Sequence, residues 1–61
     1  MIVQSQRTND HITIYQPGES LEIPDGARLI ANSITIVGGA IAIGRAAILR
    51  AQAFIELSLE G

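Results

Sequence analysis

The sequence predicts an all-β chain, either a short antiparallel meander or a small β-solenoid, forming one domain over residues 1–61 and assembled as a homo-oligomer. Three observations predict it. From Leu49 to Leu59 every odd position is apolar, while Arg50, Gln52, Glu56 and Ser58 stand between them. Side chains alternate faces only in an extended chain, so this stretch reads as a half-buried strand. Upstream, short aliphatic runs are cut by Pro-Gly, Asp-Gly and Gly-Gly, the residues that turns require. Finally, the apolar residues make up 48% of the chain and are dominated by isoleucine, whose β-branched side chain suits a pleated surface.

Taken in order, Ile2 and Val3 open a polar segment, Gln4 to Asp10, so residues 1–10 read as a short strand or arm followed by a turn. His11 to Tyr15 alternates, with Ile12 and Ile14 on the inner face and His11, Thr13 and Tyr15 on the other. Gln16-Pro17-Gly18-Glu19 is a turn in which proline fixes φ and glycine supplies the positive φ of its third position. Leu21 and Ile23 share one side of a brief strand, and Pro24-Asp25-Gly26 turns the chain again. Further extended pieces cover Arg28–Ala31, Ile34–Val37, Ala40–Ile43, Ala47–Arg50 and Phe54–Leu59, parted by Asn32-Ser33, Gly38-Gly39, Gly44-Arg45 and Gln52. Large aliphatics recur roughly every six or seven residues, a spacing that fits hairpins, with Gly38-Gly39 as the best two-residue turn, or stacked solenoid rungs with small corner residues.

Residues 40–59 also contain good helix formers. On a helical wheel Ile41, Ile48, Ile55 and Leu59 share a face, but Arg45 and Gln52 enter the same stripe. Strand alternation fits better.

A chain of 61 residues buries only about 60% of the surface its unfolded form exposes. Domains this small add disulfides, a structural metal or partner subunits to a thin core. There is no cysteine, which excludes a disulfide framework and thiolate zinc sites, and His11 is the single histidine. Self-association is left as the supplement, and eleven Ile and five Leu are more than so small an interior can hide. A formal charge of −2 gives no basic field to draw nucleic acid or anionic membranes. The longest uncharged run, Leu29–Gly44, is shorter than the roughly 18 residues a membrane span needs. The N-terminus lacks a signal peptide's basic start and apolar middle, so the cytoplasm, or a particle assembled there, is the expected location.

The stretch Gly26-Ala27-Arg28-Leu29-Ile30-Ala31, followed by Ile34-Thr35-Ile36-Val37-Gly38 and Gly44-Arg45-Ala46, resembles the C-terminal β-helical domain of the septum-site protein MinC. The texture of short aliphatic strands and glycine corners is similar to that of bactofilins, which polymerise through stacked β-solenoid rungs. The likeness covers residues 17–46 and implies a short β-helix in a cytoskeletal or division-associated scaffold. It carries over Gly44-Arg45-Ala46 as a corner. It carries over no partner site, because only Gln16-Pro17-Gly18-Glu19 stands where that family's Arg-Ser-Gly-Gln type segment would be.

No motif here indicates catalysis, a metal or a cofactor. Gly38 to Gly44 matches neither G-x-G-x-x-G nor the P-loop, and no lysine follows it. His11 beside Asp10 has neither a second histidine nor a nucleophile, and Glu19, Glu22 and Asp25 flank turns as solubilising residues do. The candidate functional residues are oligomer contacts: Arg45, Arg50, Phe54, Glu56, Leu57 and Leu59. Arg50 or Arg45 can meet Glu56 across a symmetric interface, and Phe54 interrupts an otherwise polar row. The expected function is a non-enzymatic, self-associating structural or protein-interaction module. Two alternatives stand beside it: an oligomeric ring binding RNA or a small ligand through Arg28 or Arg45, and a spike, tail or decoration component of a viral particle.

Overall fold

The computed structural model describes residues 1–61. Four strands form one open sheet that does not close into a barrel: β1 (Gln6–Arg7), β2 (His11–Ile23), β3 (Arg28–Ile43) and β4 (Ile48–Leu59). β3 is the hub, with β1 and β2 along one edge and β4 along the other. The C-terminal third is therefore strand, and the helical alternative is not adopted.

Every ladder is parallel. This corrects the antiparallel direction expected for a meander. Parallel neighbours cannot be joined by a tight turn, so each strand meets the one before it only after a long circuit of chain. The circuit has a nearly constant length: Gln6 pairs with Leu29, 23 residues on, His11 with Ser33, 22 on, and Ser20 with Ala40, 20 on. Arg28 pairs with Ile48 at the same 20-residue offset. The chain thus makes three passes, and each lies in register on the last. A straight strand the length of β3 would reach about 53 Å at ~3.3 Å per residue. The whole molecule measures 29 × 21 × 13 Å, so β3 bends within its length. The shortest extent fits three chains stacked at about 4.8 Å intervals.

The register shifts fall where polar or turn residues interrupt the aliphatic runs: between Gln16 and Ser20 in β2, and between Ala31 and Ser33 opposite Ala51 and Phe54. Pro24–Ala27 and Gly44–Ala47 form equivalent corners 20 residues apart. Gly26 has φ +74° and Ala46, directly above it, φ +57°, so the third corner residue is left-handed in both passes. The corners are laced together. The Gly44 amide donates to the Ile23 carbonyl (2.7 Å), the Gly26 amide to the Arg45 carbonyl (2.9 Å), and the Arg45 amide to Asp25 Oδ1 (2.7 Å).

Gly38-Gly39 is not a hairpin turn; it lies inside β3. A Cβ on Gly39 would sit 2.8 Å from the Gly18 carbonyl carbon, and one on Gly38 would meet the Leu21 side chain. The Pro17-Gly18-Glu19 excursion leaves the β2 ladder and arches across Gly39. The Gly18 amide then donates to the Glu60 carbonyl (2.8 Å), while the Glu60 amide donates to the Gly38 carbonyl (2.7 Å). Two residues without side chains make room for this bridge from the first pass to the last.

The core lies between the faces of the first two passes: Val3, Ile12, Ile14, Leu21, Ile23, Ala27, Leu29, Ala31, Ile34 and Ile36. As expected, Ile12 and Ile14 point inward while His11, Thr13 and Tyr15 face out. Residues 1–10 are tied into the sheet through Ile2 opposite Glu22 and through β1.

Candidate functional site

Three rows of stacked side chains run through the molecule, and exposure changes along each in the same way. Ile12, Ile34 and Ile55 are 3, 0 and 42% exposed; Ile14, Ile36 and Leu57 are 8, 0 and 44%. In the third row Val3, Ile23 and Ile43 are 1, 0 and 51% exposed. The first pass is closed and the last is open. Ile41, Ala47, Leu49 and Ala51 of the last pass touch the core without being buried by it. The interior of the stack is continuous from first to last pass, and only its final layer faces solvent.

The strand edges differ in the same sense. β2 carries Pro17, which lacks an amide donor and hinders another strand from pairing alongside. β4 contains no proline, glycine or lysine, and β3 is its only partner. Its second edge therefore offers unpaired backbone groups beside an apolar row, the arrangement that recruits another strand.

All six sequence-predicted contact residues lie on this last pass. Arg45 sits at the corner, exposed, with its amide held by Asp25. Arg50 and Glu56 are exposed on the two legs of β4, either side of the register shift at Gln52-Ala53. Phe54, Leu57 and Leu59 are also exposed, with Leu59 the most exposed large apolar residue at 69%. The sequence pattern did not single out Ile43 and Ile55, which belong to the same open layer, or Ile48, which stands over the exposed Arg28 on the outward face. Ile43 and Ile55 alternate like the buried residues beneath them, and only their place in the stack uncovers them.

Surface grooves flank the stack, one of about 510 Å³ beside Pro24, Asp25 and Ile43 and two others. A shallow one of about 310 Å³ is lined by Met1, Ile2, Leu21, Glu22, Ile41 and Ala42. A more polar one of about 580 Å³ is lined by Arg7, Asn9, Asn32, Arg50 and Gln52, with Ile30 between the two arginines in the ladder. Arg28, at the start of β3, is exposed and donates its amide to Ser5 Oγ (3.0 Å). His11 is exposed and its Nδ1 hydrogen-bonds the hydroxyl of Ser33, the one buried polar side chain. Nothing in the sequence linked these two residues, because their adjacency depends on the 22-residue offset. No group of three or more His, Cys, Asp or Glu side chains is placed to hold a metal ion. No helix is long and apolar enough to cross a membrane. Compared with protein-family models, curated proteins and solved structures, the chain matches none.

Proposed function

We propose that this chain is a short β-solenoid that works as a non-enzymatic, self-associating structural or protein-interaction module. It docks through its last pass, in the manner of a cytoskeletal or division-associated scaffold, in the cytoplasm or within a particle assembled there. The observation that carries the reading is the gradient in the three rows, whose apolar side chains are covered in the first two passes and about half exposed in the third. Covering the open half of an aliphatic side chain contributes about 1 kcal/mol. Four large side chains of the last pass that follow the interior alternation are 42–69% exposed: Ile43, Ile55, Leu57 and Leu59. Covered in two copies, they supply a gross gain on the order of 10 kcal/mol, comparable to the roughly 4–15 kcal/mol that association costs. Such an assembly is concentration-dependent rather than permanent. The resemblance of residues 17–46 to MinC and bactofilin rungs points the same way.

Sedimentation equilibrium over a wide concentration range tests this. The expected average mass rises above the 6.5 kDa of one chain, and Leu57→Asp returns it to that value. A wild-type chain that stays at 6.5 kDa throughout overturns the proposal.

The polar groove favours a second reading, an assembly that binds an RNA phosphate or another anionic ligand between Arg7 and Arg50. It predicts salt-dependent RNA binding that Arg7→Ala weakens. The central reading predicts no such binding.

A further inference from the structure

Granting that the last pass is the docking surface, we infer that two copies join there as an isologous pair, β4 against β4 in antiparallel, with Ala53 on the two-fold axis. Head-to-tail stacking would set the open last pass on the first pass of another copy. That end offers no open interior row in return, since Val3, Ile12 and Ile14 are already covered, its exposed Met1, Ile2 and Tyr15 lie off those rows, and its edge strand carries Pro17. The open layer is complementary only to another open layer.

The register follows from the residues along β4. An axis at Ala53 sets Leu49 against Leu57 of the partner subunit and Ala51 against Ile55 of the partner subunit, so interior-row residues meet interior-row residues. The same register sets Arg50 opposite Glu56 of the partner subunit, and symmetry makes that pair twice. Moving the axis half a residue brings interior side chains against exterior ones, because face alternates at every position. Moving it a whole residue toward either terminus keeps the faces but leaves both charges unpaired: Arg50 then meets Phe54 or Ser58. The bend supports the same choice. The register shift at Gln52-Ala53 divides β4 into the legs Ile48–Ala51 and Phe54–Leu59, and an axis at Ala53, inside the shift, lays the first leg within the second leg of the partner subunit. A stack joined this way has two closed ends. It stops at the dimer.

Charge reversal tests the pairing in the intact chain, where both side chains are exposed and their replacement leaves the core untouched. Arg50→Glu and Glu56→Arg should each weaken the homodimer by about tenfold or more, because each places like charges directly opposite at two positions. An equimolar mixture of the two variants should restore dimerisation. The first variant carries glutamate at both positions and the second carries arginine at both, so each charge in the mixed pair faces its opposite. Ala53→Cys, in a chain with no other cysteine, should give a disulfide-linked dimer on oxidation at low protein concentration. If the wild type associates but the mixture does not recover, or the mass grows without limit as concentration rises, the antiparallel register is wrong while self-association stands. If the wild type never exceeds the mass of one chain, the reading beneath it fails too.

Discussion

Ile34 and Ile55 occupy the same row one pass apart, and truncating each to alanine separates burial within one chain from burial by a second. Ile34 is fully covered, with Ile12 on one side and Ile55 on the other. Ile34→Ala loses about 2.4 kcal/mol of transfer free energy for three carbons at ~0.8 kcal/mol each. The closed cavity adds about another 1 kcal/mol, giving roughly 3–4 kcal/mol in all. Ile55 is 42% exposed, so Ile55→Ala loses a little over half the transfer contribution and opens no closed void. Its expected cost in the single chain is about 1.3 kcal/mol. Domains of this size hold only about 3–5 kcal/mol, so Ile34→Ala nearly exhausts the reserve and is best compared in sucrose, which strengthens burial. Urea denaturation followed by far-UV circular dichroism gives both values. At the lowest workable concentration the two variants should differ by about 2 kcal/mol, and at ~100-fold higher concentration Ile55→Ala should move toward Ile34→Ala as the partner covers the row. Equal costs at low concentration would mean that Ile55 is already sheltered within one chain, and the distinction between closed and open passes would collapse.

Other substitutions probe the corners and the arch. Gly39→Ala pushes a methyl group against the Gly18 backbone and should cost about 1–3 kcal/mol in denaturant, with the loss of amide-exchange protection concentrated around Glu60. Ala46→Gly removes a left-handed strain of about 1–2 kcal/mol at the price of about 0.5–1 kcal/mol in chain entropy, so the denaturation midpoint should rise slightly; a clear fall would contradict the corner geometry. Ser33→Ala should cost about 1 kcal/mol, because the exposed His11 ring can turn to water once its partner is gone, and His11→Ala should cost more by leaving a buried hydroxyl unpaired.

Strand content and several breaks were legible in the residues, because alternation and turn chemistry are local. Leu49 to Leu59 reads as strand, Pro24-Asp25-Gly26 reads as a turn, and Pro17-Gly18 leaves the ladder where proline and glycine predict a turn. Strand direction was not legible, since a half-buried strand alternates identically in parallel and antiparallel sheets. A longer-range signal was present: Leu21-Glu22-Ile23-Pro24-Asp25-Gly26-Ala27 and Ile41-Ala42-Ile43-Gly44-Arg45-Ala46-Ala47 share an apolar-x-Ile strand and a four-residue corner at a 20-residue offset. Few identities survive in that repeat, so aliphatic spacing alone left hairpin and rung equally open. Gly38-Gly39 misled for a related reason. Its residues lack side chains to admit a crossing segment, a non-local demand that looks locally like a tight turn. Five of the six contact residues fall within the alternating stretch Leu49–Leu59 and Arg45 at the break before it, whereas the exposure of the inward-alternating Leu57 comes from the height at which it stands.

The bridge from Gly18 to Glu60 acts as a caliper on the fold. Its span is set by the thickness of the single layer it crosses, so a chain lengthened by one more circuit would lift Glu60 about 4.8 Å beyond reach. Variants that add or delete a circuit must therefore rebuild this clasp or lose it, and its jaws gauge how many layers the molecule can have.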